Sequence, residues 1–264
     1  MAVLSGVPGS TASFWRMLFS SILLAPFILE RNSQSNYQKN RSSGIILGVA
    51  AGTMLGIHMS SWLESLAYAS VAVSTTIVCT HALFSSLFSS VIGEPPKKTQ
   101  IIGILISILG VFFITGADPS STVLGGLLAL IGAISGGAYF TLGRISRHEM
   151  SLSKYLLTTY STAGLVSLLF AIATGEKLMG FQSSSWIYLF LLALIPNVIG
   201  HSLLNLSLRF STATTVTGSV LGEPIGATIL AYFILSQHPP LMVYIFMLVV
   251  LFGVGITIKT GLEL

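Results

Sequence analysis

Few side chains in this sequence can do chemistry, and those that can stand in apolar company. Glu223 and Pro224 fall near the middle of TVTGSVLGEPIGATILAYFIL, which runs from Thr215 to Leu235. A carboxylate in such a run can bind a cationic group, take up and release a proton, or serve structure alone by hydrogen-bonding a neighbouring helix. All three uses are open from the residues. Pro224 lacks an N–H and its ring meets the carbonyl of Val220, so a helix here should bend or break around Gly222 and Pro224. Ser219 and Gly226 share a face with Glu223 at helical spacing.

A second group is His201 with Asn197 and Asn205, at i−4 and i+4, which predicts three polar side chains on one helix face. They can line a cavity or hold helices together by interhelical hydrogen bonds. His58 shares a face with Trp62 and Ser65, and His81 with Ser74, Ser85 and Ser89. Trp62 and Tyr139 can stack on a solute or simply pack. Arg16 can snorkel to head groups or, facing inward, receive a carboxylate. Glu64 reads as a rim residue and Trp186 as an interface residue. His58, His81 and His201 belong to different runs, which leaves a three-His metal site as a weak alternative, and no H-E-x-x-H, G-x-S-x-G or G-x-x-x-x-G-K-[ST] occurs, so no metal, cofactor, hydrolase or ATPase is expected. Cys79 is the single cysteine, which excludes a disulfide framework.

The elements that must position these groups follow from composition. The chain has 264 residues, 53% of them hydrophobic and 8% charged, against about 25% charged in ordinary soluble domains. Nine apolar runs, near 11–29, 44–65, 71–92, 100–116, 123–143, 152–173, 186–207, 213–235 and 240–259, approach the ~20 residues that cross a bilayer. They lack strand alternation, and lipid excludes open sheet edges, so they are helices. An ionisable residue deep in such a span costs roughly 2.5 to 3.5 kcal/mol on insertion scales, which is why Glu223 and the histidines should face a cavity or another helix.

The net charge of +4 could suggest nucleic acid. Position argues otherwise. Arg31, Lys39, Arg41, Lys97, Lys98, Arg144, Arg147, Lys154, Arg209 and Lys259 all follow odd-numbered runs, leaving only Arg16 and Lys177 for the other side. The positive-inside rule therefore predicts a plasma or inner membrane protein with a cytoplasmic C-terminus and an external N-terminus. No nucleic acid partner is implied. The first run has no A-x-A-like site after it and reads as a retained span.

The chain also repeats itself. LAYASVAVSTTIV at 66–78 aligns without gaps on LRFSTATTVTGSV at 208–220, and GVFFITG at 110–116 echoes GVGITIKTG at 253–261. The same offset sets His81 opposite Glu223 and His58 beside the counterpart of His201. The expectation is an all-α polytopic membrane protein built as two inverted repeats of five helices, residues 1–117 and 122–264. The first repeat shows four spans, so its first helix is missing or encoded upstream of Met1. Gly132 and Gly136, and Gly103, Ser107 and Gly110, are spaced for close helix contact within one chain or in a homodimer.

At this point the sequence resembles EamA-type members of the drug/metabolite transporter superfamily. The resemblance rests on R-M-L-F-S-S-I-L-L-A from Arg16 to Ala25, S-L-A-Y-A-S-V-A-V-S from Ser65 to Ser74, Gly93-Glu94 followed by Gln100 and Gly103, and Leu221-Gly222-Glu223-Pro224. It covers nearly the whole chain. Thr80-His81-Ala82 departs from the pattern, which favours a proline there. The resemblance implies two inverted five-helix units around a central cavity, in contact with membrane lipid and moving small organic solutes by alternating access. The function expected is a secondary transporter exporting small metabolites such as amino acids or related compounds, with proton coupling as one mode. A passive channel or lipid flippase is the alternative, and an intramembrane enzyme a weaker one.

Overall fold

The computed structural model describes residues 1–26, 41–93, 95–220 and 222–261. Every regular element among them is helical. Arg31, Lys39, Glu94 and Leu221, which entered the charge map and the motifs, lie outside the described residues. Among the described residues, eight helical stretches are long and apolar enough to cross a membrane: Ser43–Ser65, Val71–Phe88, Lys98–Ala117, Val123–Glu149, Leu152–Ala173, Ser183–Ser207, Ala213–Leu235 and Leu241–Lys259. The protein is a polytopic, all-α membrane protein. The run expected at 11–29 forms a helix over Gly9–Leu24, sixteen residues long, preceded by the short helix Ala2–Ser5.

The chain forms two compact units that each take pieces of both halves of the sequence: residues 1–63 with 138–211, and residues 64–137 with 212–264. The boundaries differ from the sequential 1–117 and 122–264 because contacts group helices by packing, whereas a duplication is defined along the chain. Helices Arg41–Ser65 and Val123–Glu149 contribute to both units.

In the first unit, the helix Gly9–Leu24 lies along Leu152–Ala173 and against the long helix that starts at Ser183. The contacts are small and polar. Ser13 and Ser60 both reach the Ser167 hydroxyl, at 2.8 and 3.1 Å, and Ser146 donates to the Gly44 carbonyl at 3.2 Å. Between apolar helices in lipid such bonds replace the hydrophobic drive that water would supply. At one end, Trp15 donates to the Leu178 carbonyl at 2.9 Å and packs edge-on against Trp186 at 4.8 Å.

The second unit contains two interrupted helices. Val71–Val78 stops at Cys79-Thr80 and restarts as His81–Phe88; Ala213–Gly218 stops and restarts as Glu223–Leu235. The first part of each packs on the second part of the other, so the two cross antiparallel at their breaks. Their local devices match residue for residue at the 142-position offset. Ser70 caps one by accepting from the Val73 N–H, and Thr212 caps the other by accepting from Thr215. Thr75 donates to the Val71 carbonyl at 2.6 Å and Thr217 to the Ala213 carbonyl at 2.8 Å. Hydroxyls that bond back four residues compete with the helix ladder and bend it. This explains why the first break occurs without a proline.

Below the breaks, Lys98–Ala117 and Leu241–Gly261 pack at near-backbone contact: a Cβ built on Gly103 would stand 2.5 Å from the Gly253 carbonyl oxygen. Gln100 donates from its side chain to the Thr257 carbonyl at 3.0 Å. The apolar core of this unit includes Val73, Ile77, Ile114, Val243 and Met247. A loop hub closes one end. The Thr122 N–H donates to the Tyr68 carbonyl at 2.8 Å, Ser70 N–H to the Ser121 hydroxyl at 3.0 Å, and Val71 N–H to the Gln237 side chain at 3.0 Å.

Candidate functional site

The helix from Ser183 to Ser207 is continuous but not uniform: residues Ala193–His201 form a π-helix with Pro196 inside it. A proline removes one ladder donor and pushes against the preceding turn, and a widened turn accommodates both. The consequence is local. Asn197 and His201 sit in the π segment and Asn205 one turn beyond, so their expected common face is set by the wide turn rather than by regular α spacing.

The structure gathers these residues with others in the first unit. Asn205 donates to the Tyr139 hydroxyl at 2.6 Å and to the His201 carbonyl at 2.7 Å. Asn197 donates to the Ser20 hydroxyl at 2.8 Å, and Tyr160 donates to the Asn197 carbonyl at 3.3 Å. The His201 ring lies 6.2 Å from Phe140, nearly parallel, and 6.3 Å from Tyr139. Tyr139, Tyr155, Tyr160, Asn197 and Asn205 are each 0% exposed. Gly143 gives Tyr155 its place, since a Cβ there would lie 2.6 Å from the hydroxyl oxygen.

Two arginines belong to the same interior. Arg16 is 1% exposed, and its backbone carbonyl accepts from the Ser20 hydroxyl at 2.7 Å. Arg147 is 2% exposed and donates to the Asn205 and Met150 carbonyls, at 3.2 and 2.5 Å. Arg147 reads in sequence as one of the cytoplasmic flanking charges, yet it is tied into the helix that carries the asparagines. His58 and Trp62, also in this unit, stack at 6.1 Å.

Glu223, His81, Ser219, Gly222 and Pro224 fall in the second unit. Glu223 and His81 each begin the second part of an interrupted helix. His81 is 5% exposed, whereas Glu223 and Ser219 are exposed. The Cys79 thiol donates to a Glu223 carboxylate oxygen at 3.8 Å. Pro224 follows a break in the helix, one of the two outcomes its place in the sequence predicts. It occupies the first turn of a new one, where a missing N–H costs nothing.

The residues that sequence reasoning passed over are Tyr155, Tyr160 and Pro196. Pro196-Asn197 inside an apolar run is the same kind of signal as Glu223-Pro224. Among the described residues, no group of three or more His, Cys, Asp or Glu could hold a metal ion.

The EamA-like transporter family model matches residues 2–116 and again residues 123–259. The uncharacterized transporter YdfC of Bacillus subtilis (strain 168) is 24% identical over 244 residues, 91% of this chain and 79% of that protein. The uncharacterized inner membrane transporter YedA of Escherichia coli (strain K12) is 24% identical over 220 residues, 81% of this chain and 70% of that one. A solved crystal structure shares the fold with a TM-score of 0.68 at 19% identity, covering 98% of this chain and 90% of its own.

Proposed function

Because the chain belongs to the EamA-like transporter family, and so to the drug/metabolite transporter superfamily, we propose that it is a secondary transporter exporting small polar metabolites, amino acids or related compounds, by alternating access. The observation that carries this reading is the buried polar interior of the first unit, where Asn197, Asn205, Tyr139, Tyr160 and Arg16 gather within membrane helices. Polar groups are expensive in hydrocarbon and are retained where they serve a solute or ion path. The helix that carries both asparagines is not an ideal span, and its π segment supplies irregular backbone of the kind from which transporter sites are built.

Glu223 fits a coupling role. An exposed carboxylate within a span avoids hydrocarbon by facing water or head groups, where it can exchange a proton between solute cycles. The matched caps, back-bonding threonines and restarts at the 142-position offset support a duplicated design with inverted copies. The distribution of Lys and Arg supports a cytoplasmic C-terminus.

The test is flux. Purified protein in vesicles should exchange a labelled amino acid, screened one by one, and accelerate it under an imposed pH gradient. Glu223→Gln should retain exchange at equal pH and lose the response to the gradient. Vesicles that pass none of the solutes tested, or pass them at a rate indifferent to saturation as a channel would, refute the proposal. An unaltered pH response in Glu223→Gln removes Glu223 from coupling.

A further inference from the structure

The asparagines of the first unit spend their hydrogen bonds unevenly. The Asn197 nitrogen donates to the Ser20 hydroxyl at 2.8 Å and to the Met17 sulfur at 3.7 Å. Ser20 gives its own proton to the Arg16 carbonyl at 2.7 Å, so its oxygen can only accept from Asn197. That fixes which end of the amide is nitrogen. The Asn205 nitrogen donates to the His201 carbonyl, which can only accept, and to the Tyr139 hydroxyl. Its amide is oriented by the same logic. A side-chain amide has two N–H donors, and in both residues both are used.

The oxygens are the opposite case. Oδ1 of Asn197 and Oδ1 of Asn205 are buried and have no hydrogen-bond partner among the described residues, although both residues are 0% exposed. Buried polar atoms in folded proteins are nearly always paired, and an orphan calls for an explanation. Here there are two on one helix, one within the π segment and one just beyond it. The Tyr160 hydroxyl donates to the backbone carbonyl of Asn197, beside the first of them.

We propose that Asn197 Oδ1 and Asn205 Oδ1 are the acceptors of a solute subsite and recognise N–H donors of a primary amine or ammonium group. The proposal rests on the transporter reading and sharpens it. Neutral amide oxygens suit a carrier, because they orient an ammonium group without forming an ion pair that would hold it. They would repel a bare anion. The π segment built around Pro196 is what presents the first of them away from regular α register.

The experiment uses wild-type protein in detergent and matched probes: L-leucine and L-phenylalanine, their methyl esters, and their N,N,N-trimethyl derivatives. The esters keep the amine and mask the carboxylate; the trimethyl compounds keep the positive charge and lose every donor. Binding is read by equilibrium dialysis and by thermal stabilisation. At least one amine-bearing probe should bind, with its trimethyl counterpart about tenfold weaker or more, the scale of one lost charged hydrogen bond. Asn197→Ala and Asn205→Ala should each shrink that ratio. If either variant fails to fold, the wild-type ratio decides alone.

Equal binding of amine and trimethyl probes overturns the proposal, as does the absence of binding by every amine-bearing probe. Buried waters as the sole occupants of these acceptors would give one of those two results. Vesicle flux of the same compounds separates this from the broader reading. Flux that ignores N-methylation sinks the subsite and leaves a transporter. Discriminating binding without any flux does the reverse.

Discussion

Tyr139 and Asn205, 66 residues apart on different membrane helices, meet through a 2.6 Å hydrogen bond in which the asparagine nitrogen donates to the phenol oxygen. The bond fixes the Asn205 amide, and Arg147 donates to the backbone carbonyl of the same residue. Tyr139→Phe keeps the ring and removes the acceptor. A buried N–H is then left unmet, which costs about 1–3 kcal/mol. The variant should unfold at lower temperature in detergent and transport more slowly. Phe140→Leu, which removes no polar side-chain atom, should lower stability without changing solute preference. Equal preference changes in both variants would show that packing, not the bond, sets selectivity.

Close backbone approach makes a second prediction. At Gly103 a Cβ would meet the Gly253 carbonyl oxygen and the Thr257 hydroxyl oxygen, each at 2.5 Å, whereas at Gly116 on the same helix nothing stands within 4 Å. Gly103→Ala should therefore push Lys98–Ala117 off Leu241–Gly261 and destabilise by about 1–3 kcal/mol. Gly116→Ala should be neutral or stabilising by about 0.4–1 kcal/mol, because it only narrows the unfolded ensemble. Thermal unfolding of the pair checks this. Similar losses in both would contradict the packing account.

How much of this could be read from residues alone varies with the kind of signal. Span positions came through because hydropathy is additive along the chain, and Leu152–Ala173 or Val123–Glu149 needs no partner to be recognised. Asn205 does meet His201, but through the His201 backbone carbonyl rather than its ring. The Asn205–Tyr139 pairing did not come through, because no periodicity in one helix reveals which neighbour it faces. The π segment was hidden behind a spacing argument that assumes 3.6 residues per turn throughout. Arg147 misled for a related reason: a charge near a span end reads as a flank, and only tertiary packing shows it turned inward. The break at Cys79-Thr80 carries no proline, and its signal is the run of hydroxyl residues from Ser74 to Thr76, each helical in isolation.

The loop hub of the second unit makes a prediction about pH. Burial by itself would raise the Asp118 carboxyl, but hydrogen bonds from Ser70, Ser120 and Ser121 outweigh it and hold it below the usual carboxylate range. The Ser120 N–H and hydroxyl donate to one oxygen at 2.9 and 2.7 Å. A group whose pKa is lower folded than unfolded stabilises fully above its unfolded value, about 3.9. That contribution fades as pH falls through the folded value. Wild type should thus exceed Asp118→Asn in unfolding temperature at neutral pH, with the gap closing below about pH 4. A gap that stays constant down to pH 3 would show that the carboxylate's charge is not what ties the hub together.

Pro196 offers the sharpest separation of stability from function. It stands inside the π segment Ala193–His201, between the anchored start of its helix and the two asparagines. An interior proline costs a helix about 3 kcal/mol relative to alanine, so Pro196→Ala can restore an N–H donor to the turn before it and let the helix tighten toward α geometry. Tightening rotates Asn197 relative to Ser20, whose hydroxyl it meets at 2.8 Å, and turns Asn205 relative to Tyr139. The variant should keep or gain thermal stability while losing most of its solute flux, since the polar groups remain but no longer converge. Helix tightening is measurable independently, as a change in the distance between spin labels at the exposed positions Ile187 and Leu203. A shift toward regular spacing with flux intact would mean that the wide turn is a repair for the proline and not a device for presenting Asn197.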